Sequence, residues 1–148
     1  MYNNDIRQDI KAYYDIYWGI NSVYEHWAKR RGLTINSLFT LYVIHKTPDP
    51  CTSKLLCEKL LLPKQTINTI LDFFEKKGHL TRKTAVNDKR SKHIILTTAG
   101  QRYADLLFSE LLAFEQKAFE NMSPAERNGM IKGNSAFYHN LKQILDTI

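Results

Sequence analysis

The sequence is poor in cysteine and has no long apolar run, and these two absences exclude several protein classes. Its two cysteines, Cys51 and Cys57, are six residues apart, a spacing that fits neither a CxxC redox pair nor a disulfide framework. The longest apolar run without a charge, residues 38–44, is far too short to span a bilayer. We therefore expect reduced, buried and inert thiols and no membrane partner.

Other signatures are missing as well. Residues 1–5 are polar and acidic, whereas a signal peptide begins with a basic and then an apolar segment, so we expect a cytoplasmic protein. There is no Gly-rich phosphate loop, nucleophile elbow or paired catalytic motif. The five histidines include no pair at i, i+4 and none beside a cysteine, a pattern that argues against a zinc site. We expect no catalysis, no cofactor and no metal.

What the sequence does have is an uneven distribution of charge. The net charge is +6, and residues 31–98 contain 12 Lys or Arg against 5 Asp or Glu, while the two ends together contain 9 against 10. A basic centre between nearly neutral ends indicates a polyanionic partner for the centre and a protein partner for the ends.

Both ends carry apolar residues at heptad spacing. Such spacing favours a seam along which a partner helix packs, although one long amphipathic core helix of a monomer also fits it. The N-terminal seam consists of Ile6, Ile10, Tyr13, Tyr17, Ile20, Tyr24 and Trp27. The C-terminal seam consists of Phe137, Leu141, Ile144 and Ile148.

Between the ends, the pattern predicts a helix-turn-helix. Gly32 ends the first helix, and Thr34 is placed to cap the next one. A Pro-Asp-Pro turn at 48–50 separates that helix from a short one over about 52–60. The following helix has Pro63 in its first turn and stops at Gly78. The inward residues of the first two of these helices are Leu38, Leu41, Tyr42 and His45, then Leu55, Leu56 and Leu60.

Beyond Gly78 the spacing of apolar residues changes to the alternation that is typical of strands. Residues 80–84 and 93–97 read as a hairpin around the polar segment 86–92. Capping boxes at 98–101 and 123–126 open two further helices. The predicted fold is mainly α with a small β-hairpin wing: one domain over 1–148, with a winged helix-turn-helix at 31–98 and dimerisation helices at 1–30 and 99–148.

The helix that begins near Pro63 is the candidate reading helix. Its apolar residues recur at i, i+3, i+4 and i+7 and must face the core. The opposite face meets the major groove if it binds DNA, where Gln and Asn can recognise adenine and Lys can reach guanine or phosphate. An ordinary solvated face is the alternative. The predicted contacts on this helix are Lys64, Gln65, Thr66, Asn68 and Thr69, with Thr52 and Ser53 at the start of the preceding helix.

The hairpin tip is the second candidate contact. Lys89, Arg90 and Lys92 crowd around a turn that needs no such charge to fold, and an arginine there can enter a narrow minor groove. Asp88 can hold Arg90 by a charge-assisted hydrogen bond. The alternative is a charged, solvated loop.

These segments together resemble the MarR family of winged-helix regulators. The resemblance lies in Leu55 and Leu60, in the stretch 73–80 (FFEKKGHL), in Arg82, in Asp88-Lys89-Arg90, and in 96–100 (LTTAG). It covers the whole chain in organisation and residues 52–100 in motif. Phe74 replaces the usual leucine, and the turn at 60–62 is more apolar than usual.

The resemblance implies a homodimer built from the first and last helices, which binds double-stranded operator DNA and represses transcription. It also implies release by a small aromatic or amphipathic ligand. Aromatic residues could line such a site, although at heptad spacing they also suit a core or an interface. The candidate ligand residues are Tyr13, Tyr17, Trp18 and Tyr42. A winged-helix adaptor that binds another protein is the alternative function, and we expect its surface to be mixed or apolar rather than basic.

Overall fold

The computed structural model describes residues 4–47, 50–85 and 88–148, with the side chains of 85–91 excepted. It contains six helices and three strands within these residues. The helices are α1 (Asn4–Lys29), α2 (Ile35–Lys46), α3 (Ser53–Leu60), α4 (Lys64–Lys76), α5 (Thr98–Glu120) and α6 (Pro124–Leu145). The strands are β1 (Cys51–Thr52), β2 (Leu80–Ala85) and β3 (Asp88–Leu96). The predicted fold, mainly α with a small β wing, is confirmed.

Helix ends follow the local chemistry of the sequence. The Thr34 hydroxyl accepts a hydrogen bond from the Ser37 amide and caps α2. Gly32 and Gly78 have φ values of 73° and 77°, which glycine adopts without strain. Ser123 and Glu126 form the predicted reciprocal capping box at the start of α6. Local signals thus set these boundaries.

The sheet contains one strand that the sequence pattern did not predict. Its antiparallel order is β1-β3-β2, with Cys51 opposite Ile94 and Thr52 opposite His93. Only the β2–β3 hairpin had been expected. Because β1 has just two residues, no alternation of apolar and polar side chains could reveal it. Its pairing ties the start of α3 to the base of the hairpin.

The hairpin tip is shorter than predicted. The chain is already in β3 at Asp88, so most of the expected polar loop 86–92 has strand backbone. The register is irregular between Thr84 and Ala85, which face Lys92 and Asp88 respectively. Such an irregularity bends a ribbon and increases its twist.

Three finer predictions were wrong. Tyr42 was expected to face inward but is 42% exposed, and the buried residues of α2 include Ser37, Thr40 and Ile44 beside the leucines. Pro63 is the N-cap of α4 rather than part of its first turn. Thr97, not Thr98, caps α5, since its hydroxyl accepts from the Gly100 amide at 3.0 Å.

The chain divides into two compact units, 1–104 and 105–148. In the first, the largest fully buried side chains are Phe74, Leu38, Leu41, Leu56, Ile67, Leu71 and Leu80. In the second, Arg127 Nη1 donates to the carbonyl oxygens of Phe119 and Met122, at 3.1 and 2.8 Å, and so braces the turn between α5 and α6. The predicted extents of the reading module and the dimerisation helices stay predictions.

The described parts of the chain contain no helix long and apolar enough to cross a membrane. In the same residues, no three His, Cys, Asp or Glu side chains gather as they would around a metal ion.

Candidate nucleic-acid interface

The reading helix α4 buries one face and exposes the other. Its buried residues are the predicted Ile67, Ile70, Leu71 and Phe74. Lys64, Gln65 and Thr69 are exposed, while Thr66 and Asn68 are half-buried. The five predicted contacts therefore share a helix whose inward face is fixed by the core, which leaves their functional groups on the surface.

The N-terminus of α4 suits an anion. Pro63 is the N-cap and supplies no side-chain hydrogen bond, and the first turn has no acidic residue. The amide groups of that first turn have no helical partners, and the helix dipole places partial positive charge there. Lys64 adds a full charge beside them. A phosphate oxygen is the kind of group that satisfies such an arrangement.

Thr69 is held in a defined orientation. Its hydroxyl donates to the Gln65 carbonyl oxygen at 3.0 Å, within the helix. That bond uses the hydroxyl hydrogen, so outward the side chain offers a methyl group and an acceptor oxygen. A thymine methyl group is a suitable neighbour for this surface.

Thr52 and Ser53 lie at the start of α3. The Thr52 hydroxyl accepts from the Leu55 amide at 3.2 Å, so this residue is the cap of α3. A hydroxyl that accepts in this way keeps its hydrogen to donate. Both residues are half-buried, and Thr52 lies next to His93 of β3 in the sheet.

The wing contributes Lys92, which is exposed and faces Thr84 across the hairpin. The other predicted contacts of the wing, Asp88, Lys89 and Arg90, belong to β3 by their backbone, but their side chains lie outside the described residues. Lys83, which sequence reasoning did not select, is exposed and lies opposite His93. It adds a positive charge to the stem of the wing.

A further residue, Arg82, which the sequence indicates only through the family resemblance, joins the wing to α4. Its guanidinium group binds two carboxylates of α4: Nε donates to Glu75 Oε2 at 2.9 Å and Nη2 to Asp72 Oδ1 at 2.5 Å. These two hydrogen bonds raise the pKa of Arg82. The signal in the sequence was slight: two acidic residues spaced i, i+3 on α4, then a lone arginine in a strand.

Three of the four candidate ligand residues, Tyr13, Tyr17 and Trp18, are neighbours on α1, where the ring centroids of Tyr17 and Trp18 are 5.1 Å apart. Tyr13 and Tyr17 stack on each other along α1, with ring centroids 6.2 Å apart. Tyr42 is exposed on α2, with Lys46 Nζ 6.0 Å from its ring. Only Trp18 among the four borders a groove between α1 and α2, of about 510 Å³. Its other lining residues are Asn21, Ser22, Glu25, Ile35, Asn36 and Phe39.

The two cysteines differ in environment. Cys51 is buried in β1, as predicted, whereas Cys57 on α3 is half-buried. Neither cysteine forms a disulfide bond. The prediction of an inert, buried thiol is therefore confirmed in its burial for Cys51 only.

The chain is similar to known transcriptional regulators. The model of the MarR family matches residues 31–91. An uncharacterized HTH-type transcriptional regulator of Bacillus cereus is 30% identical over 111 residues, which are 75% of this chain and 73% of that protein. FabT of Streptococcus pneumoniae, in a crystal structure with DNA, is 28% identical with a TM-score of 0.74, over 93% of this chain and 99% of that one.

A more distant structure shares the fold alone. AbsC, a MarR family transcriptional regulator from Streptomyces coelicolor, has a TM-score of 0.78 at 14% identity, with 97% of this chain and 98% of that one covered. The match to this fold thus covers nearly the whole length of the chain.

Proposed function

The chain belongs to the MarR family of winged-helix, DNA-binding transcriptional regulators, and from this premise we propose that it is a repressor that binds a pseudo-palindromic operator as a homodimer. The observation that carries the proposal is the exposed face of α4. It combines polar side chains that can read base edges with an N-terminus that has no acidic residue in its first turn. FabT, which is 28% identical and was crystallised with DNA, supports the same partner.

The homodimer is supported by the apolar surface at both ends. Ile6, Ile10, Tyr17 and Ile20 of α1 are exposed, as are Phe137, Leu141, Ile144 and Ile148 at the C-terminus. Exposed apolar residues in contiguous rows indicate a protein interface. A two-fold dimer would present two α4 helices to half-sites about 34–36 Å apart, which is one turn of DNA. A palindromic operator follows from that symmetry.

Repression follows if the operator overlaps a promoter, since the bound dimer then excludes the polymerase. We assign release to a small aromatic or amphipathic ligand in the groove between α1 and α2. Trp18 and Phe39 give this groove apolar walls, and Glu25 lines it as well. The Glu25 carboxylate also accepts from the Ile35 amide at 2.9 Å, which joins the end of α1 to the start of α2. A ligand that displaced this contact would change how the two helices meet.

The test is a footprint of the full chain on the DNA upstream of its own gene, followed by titration of the protected duplex and a scrambled duplex. We expect protection of two half-sites one helical turn apart, and tighter binding to the protected sequence. Transcription from that promoter in vitro should fall as the protein is added. Equal affinity for both duplexes would contradict the proposal and favour the adaptor function.

A further inference from the structure

We propose that Arg82 is a positioning residue for DNA binding: it fastens the wing to the reading helix and thereby sets where the wing meets the DNA. The inference rests on the proposed function, because it assumes that α4 and the wing bind the same operator. Arg82 is the third residue of β2, and its two partners lie on α4.

The geometry of the contact restrains orientation as well as distance. The planar guanidinium group uses two different nitrogen atoms, Nε toward Glu75 and Nη2 toward Asp72. The two carboxylates are spaced i, i+3, so they stand one turn apart on the same side of α4. A rigid fork held at two points cannot rotate about either bond. Arg82 therefore fixes the direction in which β2 leaves the helix.

Arg82 lies close to the outer end of the pairing that fastens the hairpin to β1, which ends one residue nearer the tip with Thr52 opposite His93. Its cross-strand neighbour is Ile94, which pairs on its other side with Cys51 of β1. The next pair toward the tip that shares this face of the ribbon is Thr84 with Lys92, and β1 does not reach it. From Arg82 to the end of β2 the ribbon extends about 10 Å, at about 3.3 Å per residue. A small change in the direction of β2 at Arg82 therefore displaces the outer end of the strand by a larger distance.

The exposed fractions of the three side chains indicate that these ion pairs position the wing rather than stabilise the fold. The Arg82 side chain is 20% exposed, but the carboxylate-bearing partners are 57% and 43% exposed. Ion pairs with such exposed partners contribute little to folding stability. The hydrophobic contacts of Leu80 and Ile94, both nearly fully buried, already hold the base of the hairpin. Loss of Arg82 should leave the fold intact and free the wing.

Two explanations of a binding defect must be distinguished. Arg82 offsets one of the two negative charges of Asp72 and Glu75 on the reading helix, so its loss would also expose more negative charge to the DNA. A charge effect acts on the DNA directly, and it would appear whether or not the wing binds. A positioning effect acts only through the wing contacts, so it vanishes when those contacts are removed.

The test is a mutant cycle of Arg82→Gln with a wing variant that combines Arg90→Ala and Lys92→Ala, measured as affinity for operator and as salt dependence. We expect Arg82→Gln to weaken operator binding and to flatten the salt dependence by about 0.9 for each phosphate that the wing no longer neutralises. In the background of that wing variant it should cost less than about twofold, because interacting residues are non-additive. Arg82→Lys keeps the charge but not the fork and should behave like Arg82→Gln. Lys83→Gln, the matched loss of a neighbouring charge, should cost the same in both backgrounds.

A second variant keeps Arg82 and removes its partners. The pair Asp72→Asn, Glu75→Gln deletes two negative charges, so electrostatics alone predicts tighter binding to any DNA. Positioning predicts weaker binding to operator, and only when Arg90 and Lys92 are both present. The pair also tests the inference if Arg82→Gln does not fold, which the melting temperature of Arg82→Gln would show.

Three results would overturn the inference. An equal cost of Arg82→Gln in both backgrounds, or full rescue by Arg82→Lys, would show an effect of charge or folding and leave the proposed function standing. If the wing variant changes neither affinity nor salt dependence, the wing does not bind DNA and Arg82 has nothing to position. The footprint then decides separately whether DNA binding itself survives.

Discussion

The backbone carbonyl oxygen of His79 occupies the place that a Cβ atom on Gly100 would need. The two residues are held together by Thr97, whose amide donates to the His79 carbonyl oxygen at 3.0 Å. The Thr97 hydroxyl donates to the Gly78 carbonyl oxygen at 2.6 Å and accepts from the Gly100 amide at 3.0 Å. One threonine thus connects the end of the reading helix, the base of the wing and the start of α5.

Gly100→Ala should therefore destabilise the protein severely, because the obstacle is backbone and cannot move aside like a flexible side chain. We expect a loss of about 3 kcal/mol, at the upper end of overpacking effects, measured by urea denaturation. The matched control is Gly19→Ala in α1, where a Cβ would meet nothing within 4 Å. That change should stabilise by about 0.5–1 kcal/mol. Equal effects at both positions would contradict the packing argument.

Leu61 occupies the turn between α3 and α4 in the left-handed conformation, with φ of 54°. A non-glycine residue there costs about 1–2 kcal/mol, and the side chain is 88% exposed, so it gains little from burial. Leu61→Gly should raise the free energy of unfolding by about 0.5–1 kcal/mol, after the entropy that glycine loses on folding. Leu62→Gly, in the same turn but without positive φ, should lower it. A fall in both variants would show that Leu61 makes a contact worth more than its strain.

His79 should make folding stability sensitive to acid. Its ring stacks on Tyr103 at 4.4 Å, and its buried Nδ1 has no hydrogen-bond partner among the described residues. Burial, and next the charge of Lys77, lower the pKa of His79 from 6.5. The unfolded chain then binds the proton more tightly, so stability is complete above about pH 6.5 and falls as the pH drops toward the folded-state pKa.

The variant that tests this is His79→Phe, which keeps a stacking ring and cannot titrate. Urea midpoints of parent and variant should diverge between about pH 7.5 and about pH 5.5, with the parent losing more. Lys77→Gln removes the second cause of the lowered pKa and should reduce the acid sensitivity of the parent in part. Identical pH profiles for the parent and His79→Phe would refute the prediction.

The sequence predicted the features that depend on the spacing of apolar and polar residues within one element. The spacing of Ile67, Ile70, Leu71 and Phe74 belongs to one helix, so its buried face could be assigned without knowing what covers it. The cap of α5 could not be assigned between Thr97 and Thr98, because the close approach of Gly100 to His79 decides it. The same is true of Arg82: an ion pair between a strand and a helix is a property of the tertiary structure.

On helix α2 the prediction of which residues are buried was partly wrong. Its buried surface includes Ser37 and Thr40, so it is covered on more sides than an amphipathic stripe allows. A count of apolar residues therefore placed Tyr42 inside, where the structure has it exposed. The spacing of apolar residues therefore predicts the buried face correctly on α4 and fails on a helix that is enclosed in this way.

The apolar row on α1 should hold two copies of the chain together. Ile10 lies on the predicted seam and is 48% exposed, while Ile16 lies off it and is 61% exposed. Ile10→Asp places a charge inside the interface and should give a monomer of 17.3 kDa by light scattering at micromolar concentration. Ile16→Asp should leave the dimer intact. A monomeric parent protein would contradict the dimer outright.

The exposed face of α4 should read bases, while the basic residues around it anchor the protein to the backbone. Gln65 and Asn68 carry amide groups that can bond adenine at two points, so alanine at either position should cost about 1–3 kcal/mol of discrimination between operator and scrambled DNA. Lys92→Ala should instead weaken both duplexes alike and flatten the salt dependence by about 0.9 for each phosphate left without its lysine. The measurement is a titration of both duplexes at several salt concentrations. If Asn68→Ala and Gln65→Ala preserve the ratio of the two affinities, these two side chains do not read the sequence.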